Sequence, residues 1–171
     1  MDDLVTITDP VAVETAWKIH AALADWTGKV DAKASFALTV ESAVLVAIGA
    51  IFNAGDRLRH LTGFWTNGFF WTGVACIAVA ALYAIAVVSP NIRRRAMPTE
   101  WSENFVFFGH IKQWKADDLT EALKTKDPLP VLSRQLVVMS EIAWTKHARV
   151  RLSFIFAVIG SALVALAGVV A

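Results

Sequence analysis

The side chains of this chain that could do chemistry are few, and they suit binding better than catalysis. Asp31 falls on the apolar face of a predicted helix. A buried carboxylate there requires a partner. Lys146 is the candidate, because it shares a predicted helix face with Leu132, Leu136, Met139 and Ala143, and Gln135 lies on that face as well. An Asp–Lys pair between two packed helices fixes their register or lines a ligand pocket, and taken alone it favours the structural role. His110 follows Phe107, Phe108 and Gly109. A histidine among aromatics is more often packed than liganded. Yet Phe107 or Phe108 offers a face for a flat ring, and His110 with Lys112 can face an anion. Stacking plus one anionic group is what a small nucleotide requires.

Other chemistries find little support. His20, His60, His110, His147 and the single cysteine, Cys76, show no metal-ligand spacing. No glycine-rich phosphate loop, serine elbow or zinc-protease helix occurs. There is therefore no positive case for catalysis or for a bound cofactor. Glu41 lies a little inside an apolar stretch, either as part of a proton or ion path or at headgroup level. The Arg93–Arg95 tract reads as a topology anchor that can also contact anionic lipid.

The distribution of charge describes the scaffold for these residues. Of 171 residues 56% are hydrophobic and 18% charged, against roughly 25% charged in soluble domains. With a net charge of +1 this excludes disorder, and a sequence pI near 7.9 argues against a general nucleic-acid binder. No Asp, Glu, Lys or Arg occurs between His60 and Arg93, and none after Arg151. Residues 64–89 and 151–171 therefore read as membrane spans. Residues 36–54 form a further span with Glu41 as its one charge, joined to the next by the short polar linker Gly55 to Gly63.

Three Lys residues precede Phe36, two Arg lie in the linker, and ten Lys and Arg lie between Pro90 and Val150. Positive charge stays cytoplasmic, which places the N-terminus and residues 90–150 inside and the linker outside, with Trp65 and Trp71 as outer anchors. Met1 to Asp9 is acidic, so no secretory signal peptide is expected.

Both inner segments read as helical. In residues 1–35, Val13, Trp17, His20, Ala24, Thr27, Asp31 and Ala34 recur every three or four positions. One long helix from about Pro10 to Asn53 is expected, since Gly28 costs only about 1 kcal/mol in a helix interior. In residues 90–150 a helix is expected from about Glu100 to Trp114. A shorter one follows, opened by a capping box at Asp118 and Glu121, ending near Lys126 and stopped by Pro128 and Pro130. A second long helix runs from about Val131 to Ala171. The chain is thus expected to be all-α: one membrane domain over residues 1–171, with three transmembrane helices and a small cytoplasmic bundle of helix extensions and short intervening helices.

Several of these residues form an ordered set. Asp31-Ala32-Lys33-Ala34 opens an apolar helix, and Ser89-Pro90 follows the second span. Phe107-Phe108-Gly109-His110-Ile111 comes next, then Gln135, Ile142-Ala143 and Lys146 before the last span. From about Trp17 to the end, the chain resembles the transmembrane effector family of Pycsar antiphage defence. The resemblance implies a multi-pass protein of the bacterial inner membrane that acts beside a pyrimidine nucleotide cyclase. It implies activation by a cyclic pyrimidine mononucleotide, cCMP or cUMP, followed by membrane impairment and growth arrest. On that expectation Lys33 or Lys146 meets the phosphate. Asp31 or Gln135 binds hydroxyl or base-edge groups, Phe108 supports the base, and His110 completes the set. Homo-oligomers are expected, because three spans enclose little of a pore, and Ala43, Ala47, Gly160 and Ala165 offer small-residue contacts. The alternatives are a constitutive membrane scaffold and a small channel using Glu41, both without a nucleotide ligand.

Overall fold

The computed structural model describes residues 9–54, 63–89 and 101–170. Among the described residues every regular element is helical: α1 (Pro10–Ala54), α2 (Phe64–Val88), a 3₁₀ turn (Trp101–Glu103), α3 (Phe108–Ile111), α4 (Ala116–Thr125) and α5 (Pro128–Val170). The expectations on Arg57, Arg59, His60, Pro90, Arg93–Arg95, Pro98 and Ala171 lie outside the described residues.

Both long helices open on an Asp-Pro pair. The Asp9 carboxylate accepts a hydrogen bond from the Val11 N–H at 2.9 Å, and the Asp127 carboxylate accepts one from Leu129 N–H at 2.9 Å. Proline suits the first helical position, where its missing N–H has no intrahelical partner to lose. Pro128 and Pro130 therefore start α5 rather than stopping α4, and α5 begins at Pro128 instead of Val131. The short helix α4 is capped at Lys115 with no side-chain cap bond, so the expected capping box does not form. Asp117 and Asp118 instead lie in its first turn, where carboxylates favour the helix dipole.

The expected helix from Glu100 to Trp114 is also corrected; its first residue lies outside the described set. A 3₁₀ turn and an extended stretch precede the four-residue α3. The Asn104 side-chain oxygen accepts bonds from the N–H groups of Val106 and Phe107, both at 3.3 Å. Such an Asx turn offers the backbone an alternative to helix. Trp114 Nε1 then donates to the carbonyl of Trp101 at 2.9 Å, the two indoles meet edge to face, and Lys126 Nζ donates to the Ser102 carbonyl.

Among the described residues three helices are long and apolar enough to cross a membrane: Pro10–Phe52, Phe64–Val88 and Pro128–Val170. The chain divides into two compact units, and α1 and α5 contribute to both. One unit comprises Met1–Thr27 and Asn91–Trp144; the other, the span unit, comprises Gly28–Pro90 and Thr145–Ala171.

In the span unit α1 and α5 run parallel, since Asp31 meets Lys146 and Glu41 meets Ser153. Helix α2 runs antiparallel to α5: Arg149 reaches Ala86, Phe156 stacks on Tyr83, and Gly160 lies against Gly73. A Cβ on Gly160 would sit 2.7 Å from the Gly73 carbonyl oxygen, and one on Gly73 would sit 2.8 Å from that of Gly160. The backbones touch there because both residues lack a side chain. Gly160 is thus engaged within the chain, not free for the contact between copies that the sequence suggested.

Most buried positions of the span unit hold alanine, glycine or valine, with Phe70 and Ile77 as large exceptions. Val30, Ala34, Val87 and Val150 form a buried cluster, while Phe36, Val46, Ile51 and Val158 are exposed. That pattern suits lipid, where apolar side chains gain little by hiding and small ones let helices approach. It also turns α1. Its buried positions are Ala16 and Leu23 in one unit and Val30, Ala34, Ala37 and Glu41 in the other. The expected face shares Ala34 with this set, but its Trp17 and Ala24 are exposed, each one residue on from buried Ala16 and Leu23, about 100° around the helix.

Candidate functional site

The span unit holds three of the residues marked by the sequence. Lys146 Nζ lies 2.6 Å and 2.8 Å from the two oxygens of Asp31. The pair forms because Val30, Ala34 and Val150 bring α1 and α5 close enough for the lysine stem to cross. The Lys146 side chain is 14% exposed and that of Asp31 37%, so the contact is partly shielded from water. In this arrangement each satisfies the other's charge. Lys33 is exposed, and it lines an open groove with His147 and Arg151.

Two further contacts in this unit concern polar groups on the spans. Ser153 Oγ donates to Glu41 Oε1 at 2.7 Å. Glu41 is only 4% exposed, and its Oε2 has no hydrogen-bond partner among the described residues. The structure turns this carboxyl inward onto α5. Arg149 donates to the Ala86 carbonyl at 3.0 Å, supplying one of the orphan acceptors at the end of α2.

The other unit holds Phe108, His110 and Gln135. The fold of residues 101–114 sets His110 in place: its N–H bonds to the Phe107 carbonyl at 2.9 Å, and Phe107 meets its ring edge to face at 5.4 Å. The residue is 7% exposed, and Nδ1 has no hydrogen-bond partner among the described residues. A buried polar atom without a partner is costly unless something else meets it. Phe108 packs on Phe107 with ring centroids 4.5 Å apart, and is itself 70% exposed. Gln135 is half-buried on α5 and Lys112 is exposed.

The structure thus brings Asp31 to Lys146, and Phe107 to both His110 and Phe108. Lys33 gathers with His147 and Arg151, two residues that the sequence reading did not select. Ser153 was also missed. Its signal was available: it stands seven residues after Lys146, two helical turns along the same face. Gly73 and the Trp101–Trp114 contact carried no comparable periodic signal.

Comparison with known proteins adds one match. A family model described as a Pycsar effector protein domain covers residues 15–171. No curated protein and no solved structure matches the chain.

Proposed function

The chain belongs to the Pycsar transmembrane effector family, whose members act in antiphage defence, and on that premise we propose that it is gated by a cyclic pyrimidine mononucleotide, cCMP or cUMP. The messenger, made by a pyrimidine cyclase, binds in the unit that carries α3 and α4. Binding then impairs the bacterial inner membrane and arrests growth. The observation that carries this reading is His110: a buried ring whose Nδ1 has no partner among the described residues, set against Phe107, on which the exposed Phe108 packs. Phe108 stacks the base, His110 meets an acceptor or donor of the ligand, and Gln135 in the same unit supplies an amide for base-edge or hydroxyl groups.

The same reading accounts for the long helices. Helices α1 and α5 run without a break from this unit into the spans. A ligand that shifts one end moves the other, by no more than its affinity difference between two states. Asp31 and Lys146 hold the two helices in register where they enter the span unit. The excess of Lys and Arg between Pro90 and Val150 sets this region and the N-terminus in the cytoplasm, where a messenger is met. Several copies assemble around the leak, and the chain acts as an effector, not an enzyme.

Calorimetry on the detergent-purified chain tests the binding step. Saturable heat is expected with cCMP or cUMP and not with cAMP, and Phe108→Ala or His110→Ala removes it. No saturable binding to either pyrimidine form overturns the reading. A small channel remains the second reading because of the buried Glu41 carboxyl; it predicts ion flux without messenger and sensitivity to Glu41→Gln.

A further inference from the structure

We propose that the groove at Lys33 and Arg151 binds the phosphate of an anionic phospholipid. The groove lies within the span unit and has a volume of about 550 Å³. Lys33 of α1 and His147 and Arg151 of α5 form its polar side, and Val150, Phe154 and Ile155 its apolar side. No acidic side chain lines it.

The neighbouring cations show what distinguishes this one. Lys146 is engaged by Asp31 and Arg149 by the Ala86 carbonyl. Lys33 and Arg151 are exposed and have no ion-pair partner among the described residues. Two cations from different helices that converge on one groove raise the local potential, and a phosphate relieves it by accepting from both.

The chemistry of the surroundings selects a lipid over a free phosphate. Arg151 is the last ionisable residue of the chain, and Lys33 is the last cation before an apolar stretch whose one charge, Glu41, is buried on Ser153. The groove therefore lies where cationic helix turns give way to apolar ones, the level of lipid headgroups. Phe154 and Ile155, both partly exposed, continue from it along the span. A free anion gains nothing from them, whereas an acyl chain covers them. A bound phospholipid then bridges α1 and α5 from outside, as Asp31 and Lys146 do from within. The site takes Lys33 from the residues first considered for the nucleotide phosphate, uses none of Phe108, His110 and Gln135, and survives the failure of the nucleotide reading.

The test is native mass spectrometry of the full chain released from micelles doped equally with phosphatidylglycerol and phosphatidylcholine. The wild type is expected to retain phosphatidylglycerol about tenfold better, from the attraction of two basic residues to an anionic headgroup. The double variant Lys33→Ala/Arg151→Ala is expected to bring the two lipids to parity. Lys33→Arg/Arg151→Lys, which keeps both charges, preserves the preference, and so does Lys18→Ala, which removes a cation elsewhere. If the double alanine variant loses its helical circular dichroism, the single variants decide, each lowering the preference about threefold. No preference in the wild type, or a full preference in folded variants lacking either cation, overturns the proposal. A further arm adds cUMP or inorganic phosphate at constant ionic strength. Unchanged lipid retention is expected, and displacement of phosphatidylglycerol by either solute assigns the groove to a free phosphate instead and overturns the lipid assignment.

Discussion

The two units treat buried polarity in different ways. In the span unit Asp31 meets Lys146, Ser153 meets Glu41, and Arg149 meets a carbonyl of α2, each pairing made between two helices. In the other unit His110 is buried with a ring nitrogen that no described residue meets, and Phe108, packed on the neighbouring Phe107, is mostly exposed. Lipid supplies no hydrogen bonds, so polar groups on membrane helices must find partners on neighbouring helices. On the function proposed above, the contrast separates the part of the chain that holds helices together from the part that receives the nucleotide. Glu41 Oε2 is the exception in the span unit, a buried oxygen with no hydrogen-bond partner among the described residues.

Substitutions can break or sharpen this contrast. The largest effect is expected at the α2–α5 crossing. Gly160→Leu forces a side chain where even a Cβ would lie 2.7 Å from backbone, and a loss of about 3 kcal/mol in reversible unfolding in micelles is expected. A stability within 0.5 kcal/mol of wild type, about a surface change, would mean that the crossing is not tight. Asp31→Ala comes next. It strands a lysine that is mostly shielded, at a cost of about 2 kcal/mol, less than for a fully buried pair because Asp31 itself is partly exposed. Pairing Asp31→Leu with Lys146→Met should recover most of that loss; a double variant no better than Asp31→Ala shows that the pair does more than satisfy charge.

Ser153→Ala removes the one hydrogen-bond partner that the Glu41 carboxyl has among the described residues and is expected to lower stability by about 1–2 kcal/mol. A neutral result identifies another donor to Glu41. The smallest effect on stability is expected at Phe108→Ala, below about 0.5 kcal/mol, because the ring is mostly exposed. Its effect on nucleotide affinity should be large by contrast. A variant that loses stability but binds cCMP or cUMP as before makes Phe108 a packing residue and erases the distinction between the units.

Much of the scaffold was legible in the sequence, for physical reasons. Charge-free stretches long enough to cross a bilayer have few other uses, so the spans stood out, and the faces of Asp31 and Lys146 pointed to each other from helical periodicity alone. The misses came from local backbone chemistry and from lipid. Asn104 diverts its own backbone into a turn that an apolar pattern through Phe105, Phe108 and Ile111 does not reveal. Proline marked helix boundaries correctly at Pro128 but was read as an end when, after Asp127, it was a beginning. The face expected for α1 holds at Ala34 and fails at its N-terminal end, where the helix buries Ala16 and Leu23 and leaves the large Trp17 exposed. Two glycines far apart in sequence, Gly73 and Gly160, carry no mutual signal until the backbones are placed together. The cations of the groove were individually visible, but their convergence depends on the register of α1 against α5.

The most direct measurement is dye release from liposomes of anionic lipid containing the purified chain, with cCMP, cUMP, cAMP or no nucleotide added. Release is expected with one of the two pyrimidine messengers and at background level otherwise, and Phe108→Ala should silence it without preventing insertion. Equal release with and without nucleotide, or none under any condition, contradicts gating by a pyrimidine messenger.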